Sequence, residues 1–247
     1  MFPYDTALLT AVEPTPQTIP DVLQILENIQ SICIDGDGLK WFNWLYLQVT
    51  QAVEARVNLA DPASPARFTN PAWIALLDVA FARYYFGAVQ SSLSGAPTPG
   101  CWQALFAVRN QPEIARIQFA LAGMNAHINH DLPQAIDDTC LSTDLPPQHG
   151  TTQYNDYTAL NTTLDSLIQG AKITLRVRLL GGSLPPVSAL DNTLAAWSVA
   201  AAREGAWNNA ELLWRLSSDA PLLADAFLGT LDGLTALASK TLLVPVA

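Results

Sequence analysis

Residues 112–131 read PEIARIQFALAGMNAHINHD, and the fold turns on how this stretch is read. Pro112 suits the first turn of a helix, where its missing N–H is not needed. Ile114, Ile117, Phe119, Ala120, Leu121, Ala122 and Met124 follow, with no polar stripe after Arg116 and Gln118. A helix that is apolar on every side belongs in the middle of a bundle. Twenty residues would span roughly 30 Å, but Arg116, Gln118 and the polar C-terminal end argue against a membrane span.

That polar end is Asn125, His127, Asn129, His130 and Asp131. On a continuing helix His127 and Asp131, four apart, share a face, and His130 neighbours His127 at three. Pro133 is expected to break or bend the chain, which places the cluster near a helix C-terminus. The free carbonyls there favour a cation. Three readings stand open. His127 is a core histidine bonded to Asp131 or a carbonyl, with Asp131 capping a helix that starts at Pro133; or His127 is a general acid/base oriented by Asp131; or His127, His130 and a carboxylate, Asp131 or the more distant Asp78, bind a divalent transition metal. The metal pattern lacks the glutamate of the zinc-protease helix and any ExxH pair of a di-iron bundle.

Outward from this stretch the chain reads as helices. Residues 1–19 are expected to form an extended N-terminal arm, and 20–247 a single all-α domain. Val22, Leu23, Ile25, Leu26, Ile29 and Ile32 recur on a helical period. DGDG at 35–38 is a turn without the calcium-loop pattern. Leu39–Val57 is a second helix, with Trp41, Phe42, Trp44, Leu45 and Leu47 crowding its first turns. Asn70-Pro71 is a cap and first-turn pair that opens the nearly all-apolar helix PAWIALLDVAFARYYFGAVQSSL. Its Asp78, if buried, needs a partner on another helix, which makes it a candidate third member of the His127 site. Cys101–Arg109 is a short helix. Thr151–Leu180 is a long one that GGSLPP ends. Residues 188–217, punctuated by Trp197, Trp207 and Trp214, form one or two more, and Pro221–Leu243 forms the last. The total is a single-domain bundle of seven to nine helices around a buried apolar central helix.

Composition narrows the function. With 50% hydrophobic and 14% charged residues, the chain buries much of its length or encloses an apolar cavity. It carries 22 acidic against 12 basic residues, net −10, and no basic cluster. That disfavours nucleic acid and anionic membranes. Cys33, Cys101 and Cys140 form no CxxC pair and fit reduced thiols in a cytoplasm. The N-terminus shows no signal peptide. Terpene-cyclase signatures are near misses. Asp137-Asp138 lacks a third acid at Leu141, and Asn155-Asp156 is followed by Ala159 and Thr163 where a hydroxyl and an acid are needed. No nucleotide loop, nucleophile elbow or zinc-finger spacing appears.

GMNAHINHDLP at 123–133, with the aromatic helix at 40–47, AWIALLDVAFARYY at 72–85 and AREGAWNNAELLW at 202–214, resembles an uncharacterised bacterial and fungal domain-of-unknown-function family. The resemblance runs from about residue 38 to the end. Its most specific motif is NAHIN-x-DLP, matched by Asn125, His127 and Asp131; the slot held here by His130 is not always histidine in that family's pattern. It implies no activity.

The residues therefore suggest a cofactor-free acid/base enzyme of isomerase, cyclase or lyase type. It would act on a small hydrophobic molecule, in a setting such as secondary metabolism. His127 would shuttle the proton, Asp131 orient it, Asn125 hold a substrate oxygen, and Asp78 complete the site. Trp41, Trp44, Tyr84, Tyr85 and Met124 would line the pocket. The alternatives are a metal enzyme and a non-catalytic carrier or scaffold.

Overall fold

The computed structural model describes residues 2–59, 64, 66–181 and 198–245, which form a bundle of α-helices. These are α1 (Asp5–Val12), α2 (Ile19–Ile32), α3 (Gly38–Val57), α4 (Pro71–Ser94), α5 (Gly100–Phe106), α6 (Arg116–Ala126), α7 (Leu132–Thr143), α8 (Thr152–Thr158), α9 (Asn161–Thr174), α10 (Val199–Asp219) and α11 (Pro221–Leu242). A π turn, His127–Asp131, joins α6 to α7. No β-strand occurs among the described residues; Ala115 and Arg178 make one isolated antiparallel bridge.

The centre is α6, buried at every position from Ile117 to Ala126. It packs on α3 and on α11, while α7 packs on α4 and α10. The α3–α6 contact is reciprocal. A Cβ at Gly38 would overlap the Phe119 ring, and one at Gly123 would overlap the Phe42 ring. Each helix thus offers a glycine to the other's phenylalanine, which lets the two backbones approach closely.

The helix starts follow local chemistry. Thr18 and Asp21 form a capping box on α2, and Asn70 Oδ1 accepts the Trp73 N–H at 3.1 Å at the start of α4. In the DGDG turn Asp37 caps α3 through the Leu39 N–H and pairs with Arg109 at 3.0 Å. That buried pair gives the turn a structural role.

Four expectations are corrected. The first nineteen residues are not extended throughout, because Asp5–Val12 is a helix that buries Leu8 and Val12; eight residues are too few to show a clear period. The central helix begins at Arg116, not Pro112. Its first N–H groups are taken by an extended segment: Arg116 N–H by Val177 O, and Ile117 N–H by Leu175 O. Residues 175–180 therefore leave the helix they were expected to prolong, and the expected 151–180 helix is divided into α8 and α9. Finally, the chain is not broken at Pro133. The proline ring would crowd the Asn129 carbonyl, and its nitrogen cannot donate to it. A π turn just ahead, with the Leu132 N–H reaching back to His127 O, absorbs the misfit and lets the helix continue. The reading of residues 188–197, including Trp197, falls outside the described residues.

Two helices, α4 and α11, are long and apolar enough by composition to cross a membrane. In α4 most of the apolar window is inside the bundle, whereas α11 leaves Leu222, Leu223, Leu234 and Leu237 exposed.

Gly123→Ala is expected to destabilise the fold by about 1–3 kcal/mol in urea denaturation, because the methyl overpacks Phe42. Helix propensity returns only ~0.5–1 kcal/mol of that. Gly170→Ala, with open space around its Cβ position, is expected to be neutral or stabilising in the same assay.

Candidate active site

The π turn places Asp131 between two histidines. His127 Nδ1 lies 2.9 Å from Asp131 Oδ2, and His130 Nδ1 lies 2.7 Å from Asp131 Oδ1. The Trp102 indole N–H donates to Oδ2 at 2.9 Å. His127 and Asp131 are each 1% exposed. An ionised carboxylate only accepts hydrogen bonds, so both Nδ1 atoms carry their protons. Burial opposes the charge on Asp131, but the bonds from His127 and His130 outweigh it and hold the carboxyl below its ordinary range.

The two imidazoles are driven in opposite directions. Burial lowers the His127 pKa, with the neighbouring His130 adding to the effect, and the Asp131 bond only partly offsets them. Burial also works against the charge on His130, but there Asp131 and then Asp232 prevail, and its pKa rises. His127 is thus the neutral member, protonated on Nδ1. Its Nε2 is buried and has no hydrogen-bond partner among the described residues.

Aromatic rings surround His127. Phe81 stacks on it with centroids 3.4 Å apart and planes 7° from parallel, and Tyr46, Phe42, Tyr85 and Trp102 meet it at steeper angles. A cavity of about 40 Å³ lies against this cage, lined by Tyr46, Phe81, Leu132, Asp78 and Arg203 among others. Tyr46 Oη and Asp78 Oδ2, from two residues that line this cavity, likewise have no hydrogen-bond partner among the described residues. Burial, and secondarily Glu54, pushes the Asp78 carboxyl up to about 7.

Other expected site residues are placed differently. Asp78 is buried but makes no ion pair among the described residues and no hydrogen bond to His127. Arg83 bonds instead to Pro16 O. Asn125 is not available to a substrate oxygen: its amide N–H groups go to Thr235 O and Ser239 Oγ, and its oxygen accepts from Asn129. The proposed pocket wall is dispersed. Trp41 sits under Arg116, with its indole N–H on Asp35 O. Trp44 is half-buried at the edge of the core. Tyr84 bonds to Asp138 and lines a separate groove of about 660 Å³ between α4 and α7. Met124 is buried in the core, and Tyr85 alone of the wall residues joins the His127 cage. His127 and His130 both place Nδ1 on Asp131, so Nε2 is the ring atom each would have left for a metal.

The cage residues Phe42, Tyr46, Phe81 and Trp102 were missed by sequence reading. A signal for three of them existed. Leu39, Phe42, Tyr46, Val49 and Val53 are spaced by three and four residues and all are buried, so the inward face of α3 is that of Phe42 and Tyr46, not Trp44. Asp78, Phe81 and Tyr85 similarly follow one face of α4.

An all-helical domain whose central helix carries a buried histidine–carboxylate–histidine cluster is the class that this fold and site define. The chain belongs to DUF5995, a family of unknown function, whose model matches residues 19–245. No curated protein and no solved structure matches the chain.

The unpaired Asp78 carboxyl gives a signed pH effect. With a folded pKa of about 7 against an ordinary 3.8, its contribution to stability is present below about 4 and lost as pH rises through about 7. Asp78→Asn removes that loss. Its stability relative to wild type is expected to be about 2–3 kcal/mol more favourable at pH 8 than at pH 5, at ~1.4 kcal/mol per pH unit. The check is urea denaturation of both proteins at both pH values; an equal difference at the two would contradict the assignment.

Proposed function

We propose that this protein is an acid/base enzyme, of isomerase, cyclase or lyase type, acting on a small hydrophobic molecule with His127 as the proton-transferring group. The observation that carries the reading is the His127 ring itself. Its Nδ1–H is held by Asp131, and its Nε2 is buried in an aromatic cage with no partner among the described residues. An unpaired buried acceptor costs about 1–3 kcal/mol, and a fold that retains one at its centre has kept a base ready for use. The lowered pKa leaves Nε2 able to take a proton at neutral pH. Once charged, the imidazolium would be met by the Asp131 carboxylate and by the face of Phe81. Asp131 is the positioning residue. Asp78 and Tyr46, across the small cavity, are the polar groups nearest to hand for a substrate that enters by displacing the cage. Three free, buried cysteines support a reducing, cytoplasmic setting.

A second reading is favoured by the groove between α4 and α7. Its volume is in the range of small-molecule clefts, and Arg83, Tyr84 and Asp138 line it with Leu76 and Ala80. That surface suits a carrier that holds an amphipathic molecule without turnover.

Deuterium exchange tests the first reading. In heavy water, with a panel of small apolar ketones and esters, the wild type is expected to introduce deuterium next to the carbonyl of at least one compound. His127→Gln is expected to lose ~10²–10⁴-fold in rate while keeping its helical circular dichroism. Exchange that is equal in the variant contradicts the role of His127. Binding without exchange, lost in Tyr84→Ala but not in His127→Gln, assigns the groove instead.

A further inference from the structure

On the side of Asp131 away from His127, three side chains from separate helices converge. Cys101 lies in the first turn of α5, His130 in the π turn and Asp232 on α11. One ligand atom from each lies within 4.8 Å of the others. They are 131 residues apart at the extremes, so only the tertiary fold brings them together. We propose that Cys101, His130 and Asp232 form a binding site for a divalent transition metal of the zinc class.

The donor set carries the chemistry. A thiolate, an imidazole and a carboxylate are the S, N and O ligands that zinc takes, and magnesium and calcium select oxygen instead. The arrangement around the donors is also that of a metal site. His130 Nδ1 is engaged by Asp131 at 2.7 Å, so Nε2 is the ring atom left to ligate. A carboxylate that fixes the tautomer of a histidine in this way is the common outer support of metal ligands. Asp131 is itself held by the Trp102 indole, one residue along from Cys101, which ties that support to the same helix as the thiol. Asp232 is oriented by the N–H groups of Gly100 and Cys101 at 2.8 and 2.9 Å. These bonds occupy part of its capacity, since a carboxylate has about four acceptor positions. Cys101 and His130 are buried and Asp232 is half-buried. Binding would displace the Cys101 thiol proton, and the His130 Nε2 proton where the ring is charged, to solvent. Three protein donors leave a fourth position for water, as in sites that bind or polarise an oxygen ligand.

This site is separate from the proton-transfer role given to His127 and shares with it only Asp131. Its test does not depend on any activity. Purified without chelator and loaded with zinc, then with cobalt, the full chain is expected to bind one equivalent of either by elemental mass spectrometry. The cobalt form is expected to show the near-ultraviolet thiolate charge-transfer absorption. Cys101→Ser should abolish that absorption, and Cys101→Ser and Asp232→Asn should each weaken zinc at least ~10-fold. Cys140→Ser, which alters a buried thiol outside the cluster, should leave zinc affinity unchanged. If Cys101→Ser fails to fold, the wild-type cobalt spectrum and Asp232→Asn decide. Cobalt bound without a thiolate band, no stoichiometric metal, or unchanged affinity in Asp232→Asn overturns the proposal.

Discussion

A carboxylate at 1% exposure in the middle of an apolar bundle is the constraint that organises this molecule. Left unpaired, such a charge costs several kcal/mol. Asp131 is satisfied by three N–H groups: His127 from the preceding turn, His130 from its neighbour in sequence, and Trp102 from α5. The π turn both relieves the proline and sets the two imidazoles on the two oxygens of one carboxylate. The surrounding helices then have fixed duties. Helix α5 must deliver Trp102, and α3 and α4 must seal the outer face of His127 with Phe42, Tyr46, Phe81 and Tyr85. The paired glycines of α3 and α6 let that seal close.

One carboxylate thereby gives two histidines different chemistry. His127 is turned into aromatic rings, so burial dominates and the ring is neutral. His130 is nearer the surface and sees Asp232 as well, so its cationic form is favoured. Splitting two like groups by environment is how a protein obtains distinct acid/base roles from one residue type. Here the two rings lie on the two oxygens of Asp131 and are driven in opposite directions.

Much of the fold was legible in the sequence because its signals are local. The all-apolar run of α6, the Asn70-Pro71 start of α4 and the helical period of α2 each stand on residues close together in the chain. The link between His127 and Asp131 was legible for the same reason, as an i to i+4 pair. What stayed hidden depends on distance. Asp232 lies about a hundred residues from His130, and nothing in its surroundings marks it as a partner. The separation of α8 from α9 and the pairing of 175–179 with the start of α6 are tertiary effects that helix propensity does not contain. The role given to Asn125 failed for a similar reason, since its partners Thr235 and Ser239 lie on α11. The aromatic run at 41–46 was visible, but the bulk of Trp41 and Trp44 drew attention from the spacing that turns Phe42 and Tyr46 inward.

The most direct measurement is a site-resolved nitrogen NMR titration of His127 and His130. The account predicts that His127 at pH 7 is neutral, protonated on Nδ1, with Nε2 showing the shift of a lone-pair nitrogen, and that His130 keeps its second proton above the ordinary histidine range. A His127 protonated on both nitrogens at pH 7, or neutral with its proton on Nε2, would contradict the claim that Asp131 holds a ready base at the centre of the bundle.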